Sequence, residues 1–106
     1  MNKYLVIYRA PHAARTQMMA TATPEQAKAG MDAWMGWAKR TGSALVDMGA
    51  PLSAGAGVAG KGAADDLGGY SIVQAESLAA AQALFAEHPH HQMPGGSIEL
   101  YEFVKM

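Results

Sequence analysis

The sequence has no cysteine, little charge and no long apolar run, and each absence excludes a class of protein. Without cysteine the chain has no disulfide, no thiolate metal site and no cysteine nucleophile. Its 8 Lys and Arg are scattered and its formal net charge is -1, so it lacks the basic face that nucleic acids require. No apolar run approaches the roughly 18 residues of a membrane-spanning helix. We therefore expect a cytoplasmic protein that binds neither nucleic acid nor membranes.

The length and the hydrophobic content predict one domain. The sequence has 106 residues, and 50% of them are hydrophobic. A chain of this size builds one hydrophobic core and has no room for a second lobe. We expect a single domain over residues 1–106.

A glycine-rich stretch, GAGVAGKG at residues 55–62, resembles two nucleotide-binding patterns. A phosphate loop needs a hydroxyl after its lysine and a helix after the loop. Here Gly62 takes the place of the hydroxyl, Asp65 and Asp66 follow with repelling charge, and the next segment has the composition of a strand. We predict a mobile connection over residues 53–66 that binds no nucleotide.

Strand and helix signals alternate along the rest of the chain. Strands are predicted at residues 3–9, 44–52, 68–75 and 97–104, helices at residues 24–41 and 78–88, and an irregular connection at residues 10–22. The order strand, helix, strand, strand, helix, strand is that of a ferredoxin-like α+β fold, in which both helices cover one face of an antiparallel sheet. Apolar side chains occupy both faces of the strands, so we expect a second copy to cover the other face.

The first helix has the clearest boundaries. Thr23 followed by Pro24, Glu25 and Gln26 supplies an N-cap, a proline at the first position and a capping-box partner. Residues at helical spacing then form one apolar stripe, which contains Ala27, Met31, Trp34 and Ala38. Aromatic residues at such spacing pack in a core, and Trp34 could instead line a ligand cleft.

Much of the chain resembles a known family. The segment LGGYSIVQAESLAAAQALFAEHPHHQMPGGSIELYEF, at residues 67–103, is similar to the C-terminal half of the YCII-related family, including its DGPF subgroup. The segment TPEQAKAGMDAWMGWAKRTG, followed by GAPL, is similar to the first helix and second strand of that family. The resemblance implies a dimeric α+β barrel with a small-molecule cleft in each subunit.

The sequence also departs from this family. Better-studied members carry a histidine in the first helix and an aspartate in an Asp-Pro pair after the second helix, which are proposed to form a catalytic dyad. Here the first helix has no histidine, and His88-Pro89 stands at the position of the Asp-Pro pair. The DGPF string is absent as well. The dyad of the family is therefore not transferable to this chain.

Three of the four histidines lie together in HPHHQMPGG, as His88, His90 and His91. They could bind a metal, form a partly solvated helix end or act in acid/base chemistry. The run lacks helical spacing and contains no carboxylate, so we predict no metal and no cofactor. At the end of the second helix the helix dipole would favour a charged His88, while burial would oppose it, and such competition leaves an imidazole near neutrality.

Asp47 interrupts an apolar strand and needs a partner, a wet cavity or an exposed strand edge. The first function hypothesis is a small-molecule lyase, isomerase or hydrolase with His88 and Asp47 as catalytic residues and with Tyr8, Trp34 and His90 binding the substrate. The alternative is a non-catalytic ligand-binding or interaction domain. The enzyme hypothesis gains if imidazole and carboxylate meet within about 3–4 Å. It loses if they lie on opposite sides of the sheet.

Overall fold

A computed structural model describes residues 1–53 and 55–105, with Gln92 described by its backbone alone. The strands are β1 (Asn2–Arg9), β2 (Leu45–Pro51), β3 (Leu67–Ala75) and β4 (Ser97–Glu102), and the helices are α1 (His12–Thr21), α2 (Pro24–Thr41) and α3 (Leu78–Ala83). Short 3-10 turns at Gly42–Ala44 and Pro89–Gln92 lead into β2 and towards β4.

The four strands form one sheet in the order β2-β3-β1-β4, and every neighbouring pair is antiparallel. The first and last strands of the chain are therefore neighbours, and β3 and β1 are the two inner strands of the sheet. This order, with α2 and α3 packed on one face, confirms the predicted ferredoxin-like α+β fold.

Alternating burial separates the two faces of the sheet. On β1 the side chains of Tyr4, Val6 and Tyr8 are buried under the helices, because every second residue of a strand points to the same face. Leu5 and Ile7 point to the other face and are half-buried. We call these the helix face and the helix-free face.

The predicted boundaries of α2 are confirmed. The Thr23 side chain accepts a hydrogen bond from the Gln26 backbone N–H, and the Gln26 side chain accepts one from the Thr23 N–H, which together make a capping box. Gly42 follows the last turn at a φ of 62°, a conformation that favours glycine. Although α2 has 18 residues, neither it nor another helix in the described part of the chain is apolar enough to cross a membrane.

The segment predicted as an irregular connection contains α1, so that part of the prediction is wrong. Residues 12–21 contain good helix formers, such as alanine, methionine and arginine, directly after Pro11, but none of them is buried. A helix without a packed face has no hydrophobic period, and this is the signal on which the prediction depended.

The second predicted helix is shorter than expected, since α3 ends at Ala83 rather than at His88. The chain continues in tight turns, in which Phe85 N–H donates to the Gln82 carbonyl and His88 N–H donates to the Phe85 carbonyl. Side chains three residues apart align in such turns. Phe85 and His88 are therefore buried on the same side of the chain.

The glycine-rich connection between β2 and β3 is held at its base by Arg15 of α1. The guanidinium donates to the backbone carbonyls of Ala10, Leu52 and Asp65 at 3.2, 3.0 and 3.0 Å. These contacts join both ends of the connection to α1. The predicted mobility of residues 53–66 stays a prediction, and Ala54 within it lies outside the described residues.

Candidate functional site

Six aromatic rings meet on the helix face, between α2 and the segment after α3. We call this cluster the aromatic box, and it consists of Tyr8, Trp34, Trp37, Phe85, His88 and His90. Its members come from β1, from one face of α2 and from the turns that follow α3. Trp34 is half-buried, whereas the other five are buried, so Trp34 is the wall that solvent reaches.

His88 lies at the centre of the box with 2% of its surface exposed. Its ring stacks on Tyr8 at a centroid distance of 4.9 Å and an interplanar angle of 21°. The rings of Trp34 and Trp37 each meet it edge to face at 4.4 Å. These contacts fix the ring plane of His88 from three directions.

The hydrogen bonds of His88 define where its proton sits. Nδ1 accepts from the His90 backbone N–H at 3.0 Å, so Nδ1 carries a lone pair and the neutral ring carries its proton on Nε2. Nε2 is buried and has no hydrogen-bond partner within the described residues. A buried donor without a partner costs about 1–3 kcal/mol. Such a group is a candidate for contact with a ligand.

Burial also sets the charge of His88. Removal from water, together with the nearby His90 and His91, lowers the pKa of His88 to about 3. The ring is therefore neutral at physiological pH. The helix dipole that was expected to favour the charged form is not available, because α3 ends at Ala83.

Tyr8 is held by a short chain of hydrogen bonds beneath the box. Its hydroxyl donates to Ser71 Oγ at 2.9 Å, and Ser71 Oγ donates to the Met48 carbonyl at 2.7 Å. Burial raises the pKa of Tyr8 to about 12, with the Ser71 hydrogen bond opposing the shift. Tyr8 is therefore a neutral wall of the box with a fixed hydroxyl.

The neighbouring histidines bind the backbone of other segments. His90 Nε2 lies 2.8 Å from the Arg9 carbonyl, and His91 Nε2 lies 2.6 Å from the Phe85 carbonyl. A carbonyl oxygen only accepts, so both Nε2 atoms are donors. Each of the three imidazoles thus makes its own hydrogen bond to a backbone group. Across residues 1–53 and 55–105, no group of three His, Asp or Glu side chains is placed to hold a metal.

Asp47 is remote from this cluster. It is exposed on β2, where its carboxylate accepts from the Gly49 N–H at 2.8 Å. It stands opposite Ile72, and cross-strand neighbours share a face, so Asp47 lies on the helix-free face. No hydrogen bond of the described residues joins it to His88. The expected pair of imidazole and carboxylate is not brought together, because irregular pairing of β2 turns Asp47 outward.

The structure thus brings together four of the five residues selected from the sequence, namely Tyr8, Trp34, His88 and His90. Sequence reasoning missed Phe85 and Ser71 as parts of the site. Phe85 falls within the predicted helix over residues 78–88, and its spacing of three residues from His88 was the available signal. Ser71 stands between apolar residues in a predicted strand, and no local pattern reveals the hydrogen bond from Tyr8.

A solvent-open cleft of about 430 Å³ lies beside the box, between α3 and β4. Leu78, Gln82, Phe85, Ile98 and Leu100 line it, so Phe85 forms a wall of both the cleft and the box. Its volume is within the range of small-molecule sites.

The helix-free face carries a charged network at its edge. Arg9 Nε donates to Glu99 Oε1 at 2.9 Å and Arg9 Nη1 donates to Asp66 Oδ1 at 2.8 Å. The Tyr101 hydroxyl donates to the same Glu99 oxygen at 2.7 Å. The hydrogen bonds from Tyr101 and Arg9 lower the pKa of Glu99. The carboxylate of Glu99 is therefore held in its charged form beside the apolar part of this face.

The fold and the comparisons with known proteins agree. The strand order and the helices on one face define an α+β protein of the ferredoxin-like class. The model of the YCII-related domain matches residues 1–106, and the chain belongs to that family. A search of curated proteins finds no match.

The fold is similar to that of a solved enzyme complex. It is 5-chloro-2-hydroxyhydroquinone dehydrochlorinase (TftG) from Burkholderia phenoliruptrix AC1100 in complex with 2,5-dihydroxybenzoquinone. The similarity covers 96% of this chain and 93% of that chain, with a TM-score of 0.57 and 15% sequence identity. At this identity the likeness concerns the fold.

Proposed function

We propose that this protein is a small-molecule enzyme of the lyase, isomerase or hydrolase type that uses His88 without Asp47, and that its substrate binds in the aromatic box. The observation that carries the proposal is the buried Nε2–H of His88, which lacks a hydrogen-bond partner within the described residues. An oxygen atom of a bound substrate would satisfy this donor.

The role proposed for His88 is donation from a neutral ring. The His90 N–H holds the lone pair of Nδ1, and burial disfavours the charged ring. A neutral imidazole N–H stabilises negative charge that develops on a carbonyl or phenolic oxygen. His88 would therefore polarise the carbonyl or phenolic oxygen of the substrate through its N–H. It would not accept the proton that is transferred during the reaction.

The walls of the box favour a small planar substrate. Tyr8 stacks on His88, and Trp34 meets both rings edge to face at 5.0 and 4.4 Å. In the described conformation these rings fill the box. Trp34 is its half-exposed wall, so a planar ligand would enter by displacing the Trp34 indole. The fold of a protein solved with 2,5-dihydroxybenzoquinone is similar, which makes this compound a suitable probe.

Calorimetric titration with 2,5-dihydroxybenzoquinone and with a panel of phenols and enolisable ketones tests the proposal. We expect at least one member to bind the wild type. His88→Phe should remove this binding, because phenylalanine keeps the ring but has no donor. His88→Gln keeps an N–H donor and should weaken binding by about tenfold or less.

The control variant is His12→Gln, because His12 lies on exposed α1, away from the box. It should bind as the wild type does. Unchanged binding by His88→Phe, with the fold intact by circular dichroism, would place the ligand elsewhere and remove His88 from the mechanism.

A second candidate function is non-catalytic ligand binding. Two observations favour it: Asp47 lies on the opposite face from His88, and the cleft beside Phe85 is open without any movement of the box. The two candidates differ in what happens to a bound compound. Chromatography of each ligand after prolonged incubation should show conversion if the protein is an enzyme, and an unchanged compound if it is a binding domain.

We also propose that two copies associate through the helix-free face, as the family resemblance implies. Leu5, Ile7, Tyr70 and Ile72 are half-buried there without a covering helix. Apolar side chains on an uncovered sheet favour an interface. The assembly would be a dimeric α+β barrel. Sedimentation equilibrium should give twice the mass of one 11.1 kDa chain, and the mass of a single chain at micromolar concentration would contradict this arrangement.

A further inference from the structure

The apolar stripe of α2 is longer than the surface on which it packs. Ala27, Met31, Trp34 and Ala38 lie three or four residues apart and share one side of the helix. Trp34 and Ala38 pack against the core. Ala27 and Met31 continue the same stripe, yet both are exposed, and Met31 retains 61% of its accessible surface.

The position of Trp34 explains this difference. Trp34 contacts Tyr8 near the end of β1, and α2 leads to Leu45, which is paired through Val73 with the start of β1. The helix therefore runs back along β1 from its end. At 1.5 Å per residue, the ten residues upstream of Trp34 extend about 15 Å past the sheet. We call residues 24–33 the overhang.

The surface area shows that the subunit is not compact by itself. It exposes 7297 Å², whereas a compact monomer of 11.1 kDa exposes about 5,700 Å², so the excess is about 1,600 Å². Its radius of gyration is 14.6 Å, against about 13 Å for a compact chain of this length. Four strands about 4.8 Å apart present a flat face of only about 500 Å². The helix-free face is smaller than this excess, but most of α1 and residues 55–65 are exposed as well, so the excess is an upper limit on the area that a second copy could cover.

We propose that the overhang of α2 packs against a second copy of this chain, with Met31 at the centre of the contact. At Trp34 the stripe points toward the helix face of the sheet. Beyond the end of the sheet no strand lies beneath the stripe, so it points toward the side of the molecule that carries the helix-free face. A copy covering that face meets the overhang as well. Contact over both surfaces fits within that upper limit, since a stable complex needs only about 800 Å² from each partner. The inference extends the proposed dimer and does not depend on an enzymatic function.

The charges of the overhang favour a copy of the chain over other partners. The overhang contains Glu25, Asp32 and Lys28 as its charged residues and so carries one net negative charge, and Lys28 is paired with Asp32 at 2.8 Å. This segment therefore has no attraction for phosphate groups of nucleic acids or anionic lipids. Methionine is adaptable and suits contacts between protein surfaces.

Sedimentation of matched variants tests the contact. Met31→Glu places a charge on the stripe, whereas Ala29→Glu places the same charge on the opposite side of the same helix, at 200° from Ala27 by the helical period of 100° per residue. We expect Met31→Glu to raise the dimer dissociation constant at least tenfold and Ala29→Glu to leave it within twofold of the wild type. Equal dissociation constants for Met31→Glu and wild type would overturn the proposal.

A second measurement separates the overhang from the helix-free face. The chain has no cysteine, so Met31→Cys gives one attachment point for an environment-sensitive dye. We expect its emission to shift to the red on dilution to the monomer, and in Ile72→Asp, which disrupts the helix-free face. An emission that is unchanged by dilution while the dimer dissociates would overturn the contact and leave the proposed barrel standing. A blue shift that occurs only with lipid vesicles would assign the stripe to membranes and would also overturn it.

Discussion

The two faces of the sheet differ in how completely this chain covers them. On the helix face, Trp37 and His88 are each 2% exposed, and the rings of the aromatic box fill the space between α2 and the sheet. On the helix-free face, Leu5 and Ile7 are only half-buried, and a charged network lies at the edge. The chain therefore covers one face of its sheet by itself and leaves the apolar side chains of the other face only half-buried. Folding stability and association should therefore respond to different substitutions.

The largest effect on folding should come from the helix face. Trp37→Ala removes a buried indole and the hydrogen bond from its Nε1 to the Leu84 carbonyl at 2.9 Å. We expect the free energy of unfolding to fall by about 3–5 kcal/mol, measured by urea denaturation. Met31→Ala on the overhang is the matched control and should change monomer stability by less than about 0.5 kcal/mol. Similar losses of unfolding free energy in the two variants would show that the exposed overhang contributes to folding stability as much as the covered face does.

The next effect concerns acid stability. The pKa of His88 in the folded protein is about 3, below the ordinary value of 6.5. As the pH falls below 6.5, His88 takes up a proton in the unfolded chain but not in the folded chain, so the free energy of unfolding decreases. At pH 5 this loss should be about 2 kcal/mol, and the decrease should continue until about pH 3.

His88→Gln should lack this part of the acid loss, because glutamine does not titrate. The difference between variant and wild type, measured by urea denaturation at pH 7 and pH 5, isolates the contribution of His88. His12→Gln removes an exposed imidazole and should retain the acid loss of the wild type. An identical pH dependence of stability in His88→Gln and the wild type would mean that the pKa of His88 in the folded protein is near its ordinary value.

The smallest effect should be local to the overhang. Thr23→Ala removes the capping box at the start of α2, which costs about 1 kcal/mol. Because residues 24–33 are exposed, we expect faster amide exchange there with little change in global stability. Thr21→Ala, next to this cap and without a role in it, is the control. An equal loss of protection in β1 would show that the overhang is coupled to the core.

Local sequence signals were sufficient for the fold. The capping box of α2 and the composition of the strand predicted at residues 3–9 each depend on neighbouring residues, and both elements are confirmed. Helix α1 was missed because it packs no apolar face and so has no hydrophobic period. The early end of α3 was missed because residues in tight turns keep the spacing of a short helix.

Only part of the candidate site could be predicted from the sequence. His88 was selected from its place at the end of the predicted second helix and before Pro89, and the family resemblance supported the same region. Its tautomer depends on the His90 N–H, and its low pKa depends on rings brought from β1 and α2. Asp47 was selected from its place in an apolar strand, but irregular pairing with β3 decides its face. Such long-range contacts leave no local signal.

The proposed role of His88 requires a neutral imidazole with its proton on Nε2. Nitrogen NMR of ¹⁵N-histidine-labelled protein measures this protonation state. Long-range ¹H–¹⁵N correlations distinguish the two neutral tautomers from the charged ring. We expect the Nε2–H pattern for His88, unchanged from pH 7 to pH 5. A proton on Nδ1, or a ring that becomes charged with a pKa near the ordinary value, would contradict it.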